Sequence, residues 1–156
     1  MKRTTILIAA GLLGAALIAS PAMAQRAHLG LHTGFNFDRA EALVGAQFAW
    51  PISSRVDAYP SLDYYFGDGS ALGFNLDLKL RNIGDAAGRN SVFYVGGGLN
   101  MMRTNFNGNS DMDTGGNLFV GYESRVADVH PYFEIRGLLH QQSAVQIIGG
   151  LNFTLY

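Results

Sequence analysis

The residues that follow position 26 alternate between apolar and polar side chains with a period of two. The segment from Phe74 to Arg81 shows this best, because Phe or Leu occupies each even position and a polar or charged residue each odd one. Successive side chains of a β-strand point to opposite faces, so the alternation predicts strands with one apolar and one polar face. A helix would scatter both sets of side chains around its axis. The sequence therefore predicts an all-β fold.

Alternating segments of this kind can be counted along the chain, and turn residues such as Gly67-Asp68-Gly69 separate them. Eight segments are expected, at residues 27–37, 41–50, 55–66, 72–82, 91–102, 115–126, 129–139 and 144–156. The longest connection is expected from Arg103 to Thr114, and a second loop at residues 82–90. Pro60 cannot donate a hydrogen bond to a ladder, so we expect a bulge there. Hairpin-linked strands without a helix predict an eight-stranded antiparallel up-and-down β-barrel.

The first 24 residues have the three-part pattern of a secretory signal. Lys2 and Arg3 precede an apolar run from Ile6 to Ile18, and Ala22-Met23-Ala24 supplies the small residues of a cleavage site. The run is too short for a membrane-spanning helix, which needs about 20 apolar residues. We therefore expect residues 1–24 to be a cleaved signal peptide and residues 25–156 to form the barrel.

Alternation alone does not separate a membrane barrel from a soluble, lipocalin-like one, since the two types point their apolar faces in opposite directions. Here the polar face is rich in Gly, Asn, Gln, Ser and Tyr, with charges of both signs, which is typical of a packed interior. Aromatic residues on the apolar face lie near strand ends, as in the girdles of membrane barrels. They are Trp50, Tyr64, Phe66, Tyr122 and Phe153. These features favour a transmembrane β-barrel.

The signal, the alternating strands and the aromatic C-terminal strand together resemble the small eight-stranded outer-membrane β-barrel superfamily. Its members include the outer membrane protein X type and the transmembrane domain of outer membrane protein A. The ending from Gly150 to Tyr156 is similar to the terminal signal that the barrel-assembly machinery reads, although Tyr156 adds one residue and Ile148 replaces a polar one. The resemblance implies a cell outer membrane location, with both termini in the periplasm and contact with outer-membrane lipid and lipopolysaccharide. We expect a monomer.

The polar face of the predicted strands carries charges of both signs. Five acidic residues, Asp57, Asp63, Asp77, Glu123 and Glu134, share it with four basic ones, Lys79, Arg81, Arg125 and Arg136. Burying an unpaired charge is costly, so a narrow lumen should pair them. We predict an interior ion-pair network of Asp77, Lys79, Glu123, Arg125, Glu134 and Arg136. A lumen of one charge sign would instead have indicated an ion-selective pore.

Catalytic and metal sites are weakly supported by the sequence. His140 and Ser143 do not have the His-x-Ser spacing of the lipid A deacylase type, and Ser110-Asp111 reverses the order of residues found in palmitoyl-transferase barrels. His28 and His32 lie about 13 Å apart on an extended strand, too far to hold one metal ion alone, and are interpreted as interior packing. Asp111 and Asp113 lack the rest of a calcium-loop pattern. We therefore expect no catalytic residue, metal or cofactor.

The overall charge and the cysteine content exclude further classes. The net charge is −1 and there is no cysteine, so nothing indicates a nucleic-acid partner and no disulfide or thiolate metal site can form. The leading hypothesis is a non-enzymatic outer-membrane barrel with a structural, envelope-integrity or surface-interaction role and a lumen plugged by polar side chains. The alternatives, in order, are a narrow pore or transporter of lipid ligands, a lipid A-modifying enzyme, and a soluble periplasmic barrel.

Overall fold

The computed structural model describes residues 26–67, 70–81, 91–106, 109–140 and 143–156. The predicted signal peptide and the predicted loop at 82–90 lie outside these ranges. The described residues form eight strands: β1 (His28–Asn36), β2 (Glu41–Pro51), β3 (Val56–Phe66), β4 (Ser70–Arg81), β5 (Ser91–Phe106), β6 (Asn109–Ser124), β7 (Val129–Leu139) and β8 (Ala144–Thr154). No helix among the described residues is long and apolar enough to cross a membrane.

The strands pair in chain order, all antiparallel, and the sheet closes on itself. Closure occurs between β1 and β8, where His28 lies opposite Thr154 and Asn36 opposite Gln146. The predicted eight-stranded antiparallel up-and-down barrel is therefore confirmed. The end where β1 begins and β8 ends, at His28 and Thr154, is called the terminal mouth below, and the opposite end is called the loop mouth.

Two details of the prediction are wrong. The connection expected from Arg103 to Thr114 is mostly strand, because β5 and β6 continue in register and Arg103 lies opposite Met112. Polar residues on both strand faces hid the alternation there. The bulge expected at Pro60 is absent. The β2–β3 ladder lapses between Gln47↔Ser61 and Trp50↔Ala58 with no extra residue, so the missing N–H interrupts pairing without shifting the register.

The alternation places each side chain on the predicted face. Along β4, Leu76 is 36% exposed on the outside, whereas its neighbour Asp77 is 1% exposed inside. The aromatic residues predicted to form girdles are also on the outer surface. Trp50, Tyr122 and Phe153 lie toward the terminal mouth, while Tyr64 and Phe66 lie toward the loop mouth. The barrel thus has an apolar outer wall and a lumen filled by its inward side chains.

Candidate functional site

The lumen contains a first ion cluster centred on Glu123 of β6. Lys79 Nζ lies 2.7 Å from Glu123 Oε2, Arg125 Nε lies 3.0 Å from Oε1, and His130 Nδ1 lies 3.3 Å from Oε1. Lys79 is on β4, so its side chain reaches past β5 to find this partner. At this level β5 presents Gly96, where a Cβ would overlap the ring of Phe119. The absence of a side chain there leaves the space in which inward groups from β4 and β6 meet.

A second ion cluster surrounds Arg136 of β7. Its Nη2 lies 2.9 Å from Glu134 Oε1 and 3.3 Å from Asp77 Oδ2, and its Nε donates a 3.0 Å hydrogen bond to the same Glu134 oxygen. Phe119 packs on the guanidinium, with 4.9 Å from Arg136 Cζ to the ring centroid. All three charged side chains are at most 2% exposed. One buried cation therefore serves two carboxylates.

Tyr94 connects the two clusters. Its hydroxyl donates a 3.1 Å hydrogen bond to Glu134 Oε2, and Lys79 Nζ lies 4.0 Å from the centroid of its ring. Both contacts are favourable, since a cation is attracted to the face of an aromatic ring. The six residues singled out in the sequence therefore lie in two ion clusters that this tyrosine joins. The alternation places Tyr94 on the inward face of its strand, but it does not show which partners the side chain reaches.

Other polar contacts fill the middle of the lumen. Asp63 lies 2.7 Å from His32 Nε2, so this histidine, expected to be interior packing, is also one half of a charge pair when protonated. Asn75 donates to both Ser61 and Asp63, and its own side-chain oxygen accepts from the amides of Asn100 and Asn117. The only sequence signal for these residues was their position on the inward-facing side of an alternating strand. Their pairing depends on the stagger of strands around the barrel, which alternation does not encode.

An apolar cluster closes the lumen toward the loop mouth, and the sequence reasoning missed it. We call it the apolar seal; it consists of Leu43, Tyr65, Ala71, Met102, Leu138 and Ala144. Each of these side chains is at most 5% exposed. The expectation of a polar interior is therefore incomplete at this end. An apolar plug in a narrow bore excludes water by packing rather than by charge pairing.

The residues weighed as catalytic or metal-binding candidates are spread over the barrel: His28 lies at the terminal mouth, His32 lies in the lumen, and the others lie near the loop mouth. His140 Nδ1 is 4.0 Å from Asp113 Oδ2, and Ser143 is exposed. Asp111 is an exposed residue of β6. Within the described ranges, no three His, Asp or Glu side chains are grouped so as to hold a metal ion.

The barrel fold also occurs in solved outer-membrane proteins. No protein-family model matches the chain, and no curated protein is similar to it in sequence. The N-terminal β-barrel domain of Pseudomonas aeruginosa OprF is similar in structure, with a TM-score of 0.72, 15% identity, and coverage of 83% of this chain and 96% of that one.

Two further outer-membrane barrels are similar to the chain. Neisserial surface protein A has a TM-score of 0.59 and 10% identity over 83% of this chain and 95% of its own. Ail, the attachment invasion locus protein of Yersinia pestis, has a TM-score of 0.56 and 10% identity over 83% and 97%. Such low identities establish shared architecture and not shared activity. The chain therefore has the fold of the small eight-stranded outer-membrane β-barrels.

Proposed function

We propose that the protein is a non-enzymatic outer-membrane barrel with a structural, envelope-integrity or surface-interaction role. The observation that carries this proposal is the filled lumen, which is occupied by buried ion clusters and by the apolar seal. An eight-stranded barrel has a bore only wide enough for side chains. A lumen packed in this way favours a rigid wall element over a pore or a carrier of ligands.

The outer surface supports placement in a membrane. Large apolar side chains such as Leu31, Leu99 and Phe133 are 57%, 49% and 48% exposed along the strands, which fits contact with acyl chains. β1 begins and β8 ends at the terminal mouth, and in the proposed orientation this mouth faces the periplasm. The loop mouth then faces the lipopolysaccharide leaflet and the cell exterior. The protein acts as a monomer in this proposal.

Cell fractionation tests the location directly. The protein is expected in the outer-membrane fraction, to need detergent for extraction, and to migrate differently on a gel before and after boiling. Heat-dependent migration reports a folded barrel that resists detergent. Recovery from the periplasm without detergent would contradict the proposal and favour the soluble barrel.

Absence of enzymatic activity has its own test. Lipid A from cells that overproduce the protein is compared by mass spectrometry with lipid A from cells producing the His140→Ala variant. We expect identical acylation patterns, because His140 approaches Asp113 rather than a nucleophile. Loss or gain of an acyl chain with the native protein alone would support the lipid A enzyme instead.

The proposal includes recognition of the last strand by the barrel-assembly machinery. Removing residues 153–156 takes away Phe153, which lies opposite Leu29 of β1 and Val129 of β7. The truncated protein is expected to be exported but not inserted, and to accumulate or be degraded in the periplasm. Tyr156→Ala is the control, since Tyr156 lies beyond β8 and is 83% exposed. Normal outer-membrane levels of the truncated protein would refute this part of the proposal.

A further inference from the structure

The terminal mouth contains a polar cavity of about 300 Å³ that the filled lumen does not account for. The side chains that line it come from β1, β4, β7, β8 and from residues beside these strands. A water molecule occupies about 30 Å³ of liquid volume, so the cavity has room for a small polyatomic group as well as water. It lies on the terminal-mouth side of Glu123, and two members of the Glu123 cluster, Arg125 and His130, line it.

Positive charge predominates around this cavity. Arg26, Arg81 and Arg125 line it, against the single carboxylate of Asp128. Directly beneath, Arg81 pairs with Asp57 at 3.0 Å, and Glu123 is shared by Lys79 and Arg125. These four cations face the three side-chain carboxylates of Asp57, Glu123 and Asp128. The loop mouth differs, because its described side chains include four carboxylates, Asp38, Glu41, Asp111 and Asp113, and only two arginines, Arg39 and Arg103.

Arg26 is the cation with the least compensation. Its guanidinium lies over the ring of Tyr156, 4.1 Å from the centroid, and no carboxylate of the described residues lies within 4 Å of it. The Tyr156 hydroxyl donates a hydrogen bond to Asp128, and this bond raises the pKa of the phenol above its usual value. The phenol therefore stays neutral, and Asp128 has its partner in Tyr156.

Hydrogen-bond donors point to the cavity from several strands. The rings of His28 and His130 lie 4.9 Å apart, and neither Nε2 has a hydrogen-bond partner among the described residues. His28 Nδ1 lies 3.4 Å from the Thr154 hydroxyl. Either atom can donate in this contact, and in the tautomer that accepts at Nδ1 the imidazole proton lies on Nε2, which is then a donor. Arg125 uses Nε for Glu123, and its two Nη nitrogens have no partner in the described ranges.

We propose that the terminal mouth binds a phosphate group, held by the guanidinium groups of Arg26 and Arg125 and by the His28 imidazole. Guanidinium forks match phosphate oxygens, and the donors of Arg26, His28 and Arg125 can each meet a different oxygen of a tetrahedral anion. The phosphate belongs either to a soluble solute or to a phospholipid headgroup at the barrel rim. Its side of the membrane follows from the proposed orientation, but binding itself does not depend on that orientation.

Isothermal titration of the protein, folded in a nonionic detergent without phosphate, tests the site. Potassium phosphate is the probe, with potassium chloride at equal ionic strength as the reference. We expect saturable binding that Arg26→Gln and Arg125→Gln each weaken about tenfold or more, the loss of one charge-assisted contact. Arg103→Gln is the matched control, because it removes the same charge at the loop mouth and should leave binding unchanged. Arg26 precedes β1, so its replacement removes no ladder or lumen contact.

A second titration with short-chain phosphatidylglycerol distinguishes the two sources of phosphate. Binding of inorganic phosphate assigns the site to a soluble ligand. Binding of phosphatidylglycerol alone, weakened by the same two variants, assigns it to a lipid headgroup. Heat-dependent migration confirms that each variant is folded. No saturable binding of either probe, or equal weakening by Arg103→Gln, would overturn the proposal.

Discussion

The two halves of the lumen each contain a cluster of buried apolar side chains, but only one of them also contains the two ion clusters. Toward the terminal mouth, buried charges such as Lys79 and Glu123 satisfy one another in ion clusters. Toward the loop mouth, the apolar seal closes the bore through packing. Removing one member of a buried ion cluster leaves a charge without compensation, whereas removing atoms from an apolar plug leaves a cavity whose neighbours can partly collapse. The charged half should therefore respond sharply to single substitutions, and the apolar half more gradually.

The largest effect is expected from Arg136→Met. This change leaves Asp77 and Glu134 buried without their shared cation, and we expect it to lower the free energy of unfolding by about 3–5 kcal/mol. The triple variant Asp77→Asn/Arg136→Met/Glu134→Gln removes the whole cluster and should lose less. Urea unfolding in lipid vesicles measures both. A triple variant less stable than Arg136→Met would show that the ion pairs add net stability to this half. They would then do more than balance the cost of burying their charges.

The next effect concerns the wall of the charged half. Leu76→Arg places a charge against acyl chains and is expected to destabilise the barrel by roughly 2–4 kcal/mol, because no counter-charge exists in lipid. Leu76→Ala is the control and should cost less. The neighbouring Asp77 shows that the same strand accepts a charge on its inner face. Equal stability of the Arg and Ala variants would mean that residue 76 does not face lipid.

The smallest of the three stability effects is expected in the apolar seal. Leu138→Ala should cost about 2–3 kcal/mol, the low end for a buried leucine, since the flexible Met102 side chain can fill part of the space. Leu139→Ala is the matched control one residue away, because Leu139 is 52% exposed and Leu138 only 1%. Equal losses from the two variants would contradict the assignment of Leu138 to a packed plug.

Much of the fold could be predicted from the sequence, since alternation determines both strand identity and the face of each side chain. The alternation cannot be recognised where both faces of a strand carry the same type of side chain. Polar residues on both faces hid the ends of β5 and β6 around Arg103 and Asp113. Pro60 correctly indicated a loss of strand pairing, but the bulge expected there is absent. A missing N–H interrupts the hydrogen-bond ladder without an extra residue in the strand.

The apolar seal did leave a signal in the sequence. Doubled apolar pairs interrupt the alternation, so that one member faces lipid and its neighbour faces the lumen. The pairs at Leu43-Val44, Met101-Met102 and Leu138-Leu139 each contribute their inward member to the seal. A single pair is ambiguous, and only the register shows that these three meet at one end.

The site could be predicted less completely than the fold. The alternation along each strand identified the charges that face inward. The partner of each charge depends on the stagger between strands and on the free space in the lumen. Lys79 reaches Glu123 two strands away, and Gly96 on the strand between them leaves room for the ring of Phe119. The cavity at the terminal mouth is lined by Arg26, Arg125 and Asp128, which lie outside every strand, so no strand pattern could place them together.

Conductance of the purified protein in a planar lipid bilayer tests the central claim most directly, since both halves of the lumen are described as closed. The protein is expected to insert, as judged by heat-dependent migration of the same preparation, and to give no long-lived, uniform current steps. Brief and irregular events are compatible with a packed lumen. Long-lived, uniform conductance steps of porin size would contradict the account and make the pore the leading function.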